Sequence, residues 1–303
     1  MWRLLNGFLI FLLGLFVLTA LLSPPAFWAV DALWPHAFPF KRVFNRVLMI
    51  DALLLLVPLL WYWKITGSGW RDKIGLAADK NGGQSFLRGW LLGVGSLVVL
   101  VAFMLLAGGR TWVPELSFGK VLSYLAAGGV VGLLEEVLFR GVFFLAILYL
   151  VDGLNHKKKK LPMLVAVLSS LFYSVAHFAK ARHIQGDVTW LSGFEVWGTL
   201  FQDERGWVSL GMRGCGLFLI GLCLCALVYK YRTIWAAAGL HAGWVFSQKS
   251  LEKLTDRVNF NEIEFWKNYL WGYDLVSGLV SFVMLGLILL VFCVNSKKLN
   301  PPD

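Results

Sequence analysis

Long unbroken apolar runs organise this chain, with none of the alternation of a half-buried strand. A helix needs about 20 apolar residues to cross the hydrocarbon core of a bilayer. That ruler picks out Leu4–Ser23, Val47–Ile65, Leu87–Ala107, Val121–Val151, Leu161–Ala179, Leu210–Tyr229, Ile234–Ser247 and Leu270–Val294. The pattern predicts an all-α, polytopic membrane protein with about eight transmembrane helices. The fourth run is too long for an upright span, so it is expected to tilt or project. The seventh is short and is expected to be shielded by neighbours rather than by lipid. The first follows Arg3 and exceeds the apolar stretch of a secretory signal, so it reads as an uncleaved signal anchor.

Composition agrees and narrows the class. Of 303 residues, 58% are hydrophobic and 15% charged, against about 25% charge in an average soluble domain. The net charge of +10 would point to nucleic acid in a soluble chain. No basic groove interleaved with aromatics is present here, and the positive-inside rule accounts for the excess. With the N-terminus inside, Arg71, Lys73 and Lys80, the run Lys157–Lys160, Lys230 and Arg232, and Lys297 and Lys298 all face the cytoplasm. The opposite loops hold most of the acids, including Asp187, Asp203, Glu204, Glu252 and Glu264. The expected localisation is therefore a cytoplasmic membrane with both termini in the cytoplasm.

Two outer loops are long enough to contain structure. Val188–Gln202 is rich in Trp and Phe and predicts a short interfacial helix or re-entrant segment; Ser250–Lys267 reads as a solvated surface segment. Cys215, Cys223, Cys225 and Cys293 all fall inside apolar runs and lack metal or redox spacing, so they read as packing residues.

Against this background the segment GLLEEVLFRG is anomalous. Glu135, Glu136 and Arg140 sit inside an apolar run, and each ionised group at mid-bilayer costs roughly 2.5–3.5 kcal/mol on insertion scales. Glu136 and Arg140 lie one turn apart on one helix face and pair. Glu135 points about 100° away, and its own i+4 position is Phe139. The spacing thus gives one paired carboxylate and one available as a base.

Of five histidines, His36, His156 and His183 read as superficial. His177 and His241 are embedded in apolar helices. One Glu and two His on three spans admit three uses. They are water activation in a hydrolase, a His₂Glu zinc site from Glu135, His177 and His241, or a proton relay in a transporter. The absence of internal repeats weighs against a transporter, and spacing alone does not choose. Asp51, Arg213 and Asp274 fall near the ends of their runs, where they would hydrate or snorkel.

EEVLFR resembles the EExxxR motif of the CAAX-processing and bacteriocin-immunity (CPBP, or Abi) intramembrane proteases, relatives of the type 2 CAAX prenyl endopeptidases. Tyr173-x-x-x-His177 resembles that family's second motif, and the run from Gly214 to Trp244, containing His241, its third. The resemblance implies hydrolysis of a peptide substrate that reaches the lipid bilayer, within a four-helix catalytic core. It implies Glu135 as the base that activates water, with Glu136 and Arg140 as supports. His177 and His241 would position the water and stabilise the tetrahedral intermediate. No cofactor is required by this reading; zinc is the metal it would accommodate. The boundaries expected are N-terminal helices over 1–118, the protease-like core over 119–249, and an outer loop with the last helix over 250–303. One departure stands out. Val245 occupies the place, four residues after His241, where the family often has Asn or Asp. Gln248, two turns after His241, is the substitute the sequence offers. A non-catalytic immunity or maturation factor is the alternative that Val245 favours.

Overall fold

The computed structural model describes residues 2–65, 67, 69–76, 81–151, 160–178, 186–199, 206–258, 266–272 and 274–295. Lys80, His156, Lys157–Lys159, His183, Asp203, Glu204, Glu264 and Lys297–Lys298, used above for orientation and surface chemistry, lie outside the described residues.

In chain order the elements are α1 (Trp2–Leu33), α2 (Phe40–Tyr62), α3 (Trp70–Lys73), α4 (Gly82–Leu106), β1 (Arg110–Trp112) and α5 (Phe118–Glu136). A π-helical segment, Val137–Ala146, carries α5 into α6 (Ile147–Leu150). There follow α7 (Lys160–Phe178), α8 (Ser192–Thr199), α9 (Gly206–Tyr231), α10 (Trp235–Leu254), β2 (Thr255–Arg257), α11 (Lys267–Trp271) and α12 (Leu279–Asn295). The chain is an all-α polytopic membrane protein. Each predicted run overlaps helix, and among the described residues α1, α2, α4, α7 and α9 are long and apolar enough to cross a membrane. The eighth run is not continuous. It breaks at Gly272, whose φ of 78° is ready for glycine and strained for other residues, leaving the shorter α12.

Burial follows a membrane pattern. Leu13, Leu54, Val99, Leu168 and Val283 stand exposed, while Asp51, Glu136, Arg140, Ser170 and His241 are buried. Apolar side chains face outward where lipid is the solvent, and polar ones need partners within the protein.

Two units are distinguished. One comprises 1–70 with 175–204. In it α2 packs along α1, and α8 lies on α1 through Phe16, whose ring meets Phe194 at 5.8 Å and Trp197 at 5.2 Å. A side chain at Gly193 would collide with the Ala20 backbone, so the two helices touch main chain to main chain. A short helix, α8, forms within Val188–Gln202. Asp51 differs from its expected position. It lies midway along α2, 3% exposed, and its Oδ2 accepts a hydrogen bond from the Thr19 hydroxyl at 2.9 Å.

The other unit comprises 71–174 and 205–303. Its centre is α10, flanked by α4 and α5 through small residues. A Cβ on Gly132 would stand 2.7 Å from Ala242 N, and one on Gly128 2.7 Å from Ala242 O. On the other flank, side chains at Gly89 and Gly239 would strike the carbonyls of Ala236 and Phe86. These Gly-xxx-Gly pairs let helix backbones meet directly, the main source of helix association where no hydrophobic effect acts. Trp244 Nε1 donates to Ser96 Oγ at 3.0 Å and fastens the same face. At one end of this unit β1 pairs with β2, antiparallel, with Thr111 opposite Asp256. Arg110 donates from Nε to Thr255 Oγ1 (2.7 Å) and from Nη2 to Thr255 O (2.8 Å). This small ladder was not anticipated. Arg213 and Asp274 pair loosely at 3.9 Å, each partly buried.

Candidate active site

The site forms where α5 turns into the π-helical segment and faces α10. The wider segment advances each residue by less than the α-helical 100°, and such turns recur at functional sites. It is packed tightly. Phe139 and Phe143 meet Phe172 of α7 at 5.6 and 5.1 Å. Ser169 Oγ donates to the Phe139 carbonyl at 3.2 Å. A side chain at Gly141 would reach within 2.8 Å of the Ile74 carbonyl, which explains a glycine directly after Arg140.

Glu136 and Arg140 pair as the spacing predicts, Nη1 to Oε1 at 2.9 Å, both side chains fully buried. The same Glu136 oxygen lies 2.9 Å from Nδ1 of His241. With Glu136 ionised beside Arg140, the Nδ1 proton points at the carboxylate, and Nε2 is left as the acceptor. Nε2 lies 3.7 Å from Glu135 Oε2 and 3.5 Å from the Tyr173 hydroxyl. The Arg140 guanidinium stacks over the Tyr173 ring, 4.3 Å from its centroid. A chain therefore runs Arg140–Glu136–His241, with Glu135 and Tyr173 both at the far nitrogen of the imidazole.

Helical periodicity gave Glu135 no partner; the fold supplies one from α10. The difference between the two glutamates is environmental. Glu136 is sealed, whereas the Glu135 side chain retains 20% exposure. His177 follows Tyr173 by one turn on α7, half-buried, and belongs with the unit that begins at Val175. Gln248 does not reach the site. Its amide donates to Glu252 Oε1 at 3.2 Å, one turn further along α10. Tyr173 was visible in the sequence by its one-turn spacing from His177, but its approach to His241 was not.

A zinc site would need three donors aimed at one point. Among the described residues no three His, Cys, Asp or Glu side chains gather in that way, and His241 Nδ1 is engaged by Glu136. The donors present do not fit a zinc site. Cys223 and Cys225 are buried in α9.

A family model described as type II CAAX prenyl endopeptidase Rce1-like matches residues 116–247. Over that segment the chain is similar to the CPBP/CAAX proteases. The matched segment runs from just before α5 into the last turns of α10. It contains Glu135, Glu136, Arg140, Tyr173, His177 and His241, and stops short of Gln248. No curated protein and no solved structure gives a significant match.

Proposed function

We propose that this protein is an intramembrane endopeptidase that hydrolyses a membrane-associated or lipid-anchored peptide with Glu135 as the base, within a core spanning 119–249. The observation that carries this reading is the pairing of a partly accessible carboxylate with a buried histidine whose other nitrogen is held by a second carboxylate. A water about 2.8 Å from each would close the 3.7 Å gap between Glu135 Oε2 and His241 Nε2 at an angle of roughly 80°. Glu135 takes a proton from this water as its oxygen bonds to the scissile carbonyl carbon. The resulting oxyanion is stabilised by hydrogen bonds. When the intermediate collapses, the C–N bond breaks and Glu135 returns the proton to the leaving nitrogen. Glu136 and Arg140 hold the imidazole in the required tautomer, and His177 is proposed to help position the water.

The protein is integral to the membrane, and both termini are proposed to face the cytoplasm. The pairing of β1 with β2 agrees with the helix alternation, which puts both strands on one side of the membrane. The hydrogen bond from Ile234 N to Gly75 O (3.0 Å) likewise joins two segments assigned to the inner side.

The test uses purified protein in liposomes with three fluorogenic peptides: one ending in a farnesylated cysteine and three further residues, one palmitoylated, and one spanning the bilayer. Cleavage of any of them that disappears in Glu135→Gln, and weakens in His177→Ala, is expected. Wild-type protein that cleaves none would support the second reading, a non-catalytic immunity or maturation factor. Val245, and the engagement of Gln248 by Glu252, are the observations in its favour.

A further inference from the structure

We propose that the Tyr173 hydroxyl is the side-chain donor that stabilises the developing oxyanion next to His241. This rests on the hydrolytic reading above.

The site needs such a donor, and the Tyr173 hydroxyl is the one placed beside both His241 Nε2 and the side that Glu135 faces. Glu135 and ionised Glu136 only accept. Once Nδ1–H is given to Glu136, neutral His241 presents Nε2 as an acceptor. Arg140 donates to Glu136 from Nη1 and lies flat against the Tyr173 ring, which screens its charge from the far side. On α10, Val245 has no donor and Gln248 is turned to Glu252. Tyr173 does have one, aimed at the nitrogen that Glu135 also faces.

Its placement is overdetermined for a packing residue. The ring is 2% exposed, meets Phe139 edge-on at 5.1 Å and 88°, and lies under Arg140 at 4.3 Å. Phenylalanine would satisfy all three of those contacts. The hydroxyl adds the approach to His241, 3.5 Å in the resting protein. Hydrogen bonds at a reacting centre are often long before substrate binds and shorten in the complex. The cation on the ring face also draws density from the phenol, which strengthens O–H as a donor.

Tyr173→Phe in the liposome assay removes the hydroxyl and keeps the ring. Removing one oxyanion donor lowers kcat by about 10²–10³-fold in well-studied hydrolases; a fall of about 10²-fold is expected here, with KM changed less than about threefold and the unfolding midpoint unchanged. Tyr173→Phe combined with Val245→Asn, which offers an amide one turn from His241, is expected to regain about tenfold. If Tyr173→Phe keeps kcat within about threefold while Glu135→Gln is inactive, the inference is overturned and the hydrolytic reading stands. A lowered midpoint without rescue by Val245→Asn overturns it as well, and assigns Tyr173 to packing. Full activity in Glu135→Gln, or none in the wild type, removes the hydrolytic reading itself.

Discussion

Glu135 and Glu136 are neighbours in sequence with different physical tasks. Glu136 is wholly enclosed and compensates Arg140, itself wholly enclosed. Breaking a buried pair by removing one partner costs about 3–5 kcal/mol, because the other charge is stranded. Glu136→Gln is therefore expected to lower the unfolding midpoint sharply and to reduce the yield of folded protein. Glu135 holds a more accessible carboxylate, and Glu135→Gln should unfold with the wild type while losing hydrolysis by 10²–10⁴-fold, the usual contribution of a general base. Thermal unfolding in detergent beside the peptide assay separates the two. Arg140→Lys keeps the charge but not the planar stack on Tyr173. Stability between that of the wild type and that of Glu136→Gln is expected.

At the scale of elements, α10 is placed by absent side chains. A methyl at Gly239 would run into the Phe86 carbonyl, whereas one at Gly95 meets nothing within 4 Å. Gly239→Ala should reduce the unfolding midpoint, and Gly95→Ala should leave it unchanged or slightly raised, since alanine favours helix over glycine. The helices themselves were legible in the sequence because apolar length is what a bilayer demands of them. Their ends were less so. The count of apolar residues began α2 at Val47, but the helix starts at Phe40, since Lys41, Arg42 and Arg46 are compatible with helix even though they are poor in lipid. That shift moves Asp51 from the margin to the middle. The Glu136–Arg140 pair was legible because both lie on one face of one helix. Glu136 with His241, 105 residues apart, was not, since periodicity along a helix says nothing about which neighbour it faces. The π-helical segment was equally hidden, as its widening leaves the apolar pattern intact.

For the whole molecule, sidedness is the property to measure. With all four cysteines replaced by alanine, single cysteines at Thr111 and Asp256 are expected to react with an impermeant maleimide from the same face of sealed vesicles, and one at Asp72 from the other. The paired strands require the first two to agree. Agreement of Asp72 with them would overturn the proposed alternation of spans.

The backbone contacts on both flanks of α10 have one more consequence. With carbonyls of α4 set against its glycines, and its own backbone set against the glycines of α5, this helix has little freedom to slide along its axis, so His241 stays at one depth in the bilayer. A substrate tethered by its own lipid must then bring a bond to that depth. Recognition becomes a matter of reach: the number of residues between anchor and bond, more than their identity, would decide where the chain is cut. Adding one residue to that tether should move the cut by one residue and leave its distance from the anchor unchanged.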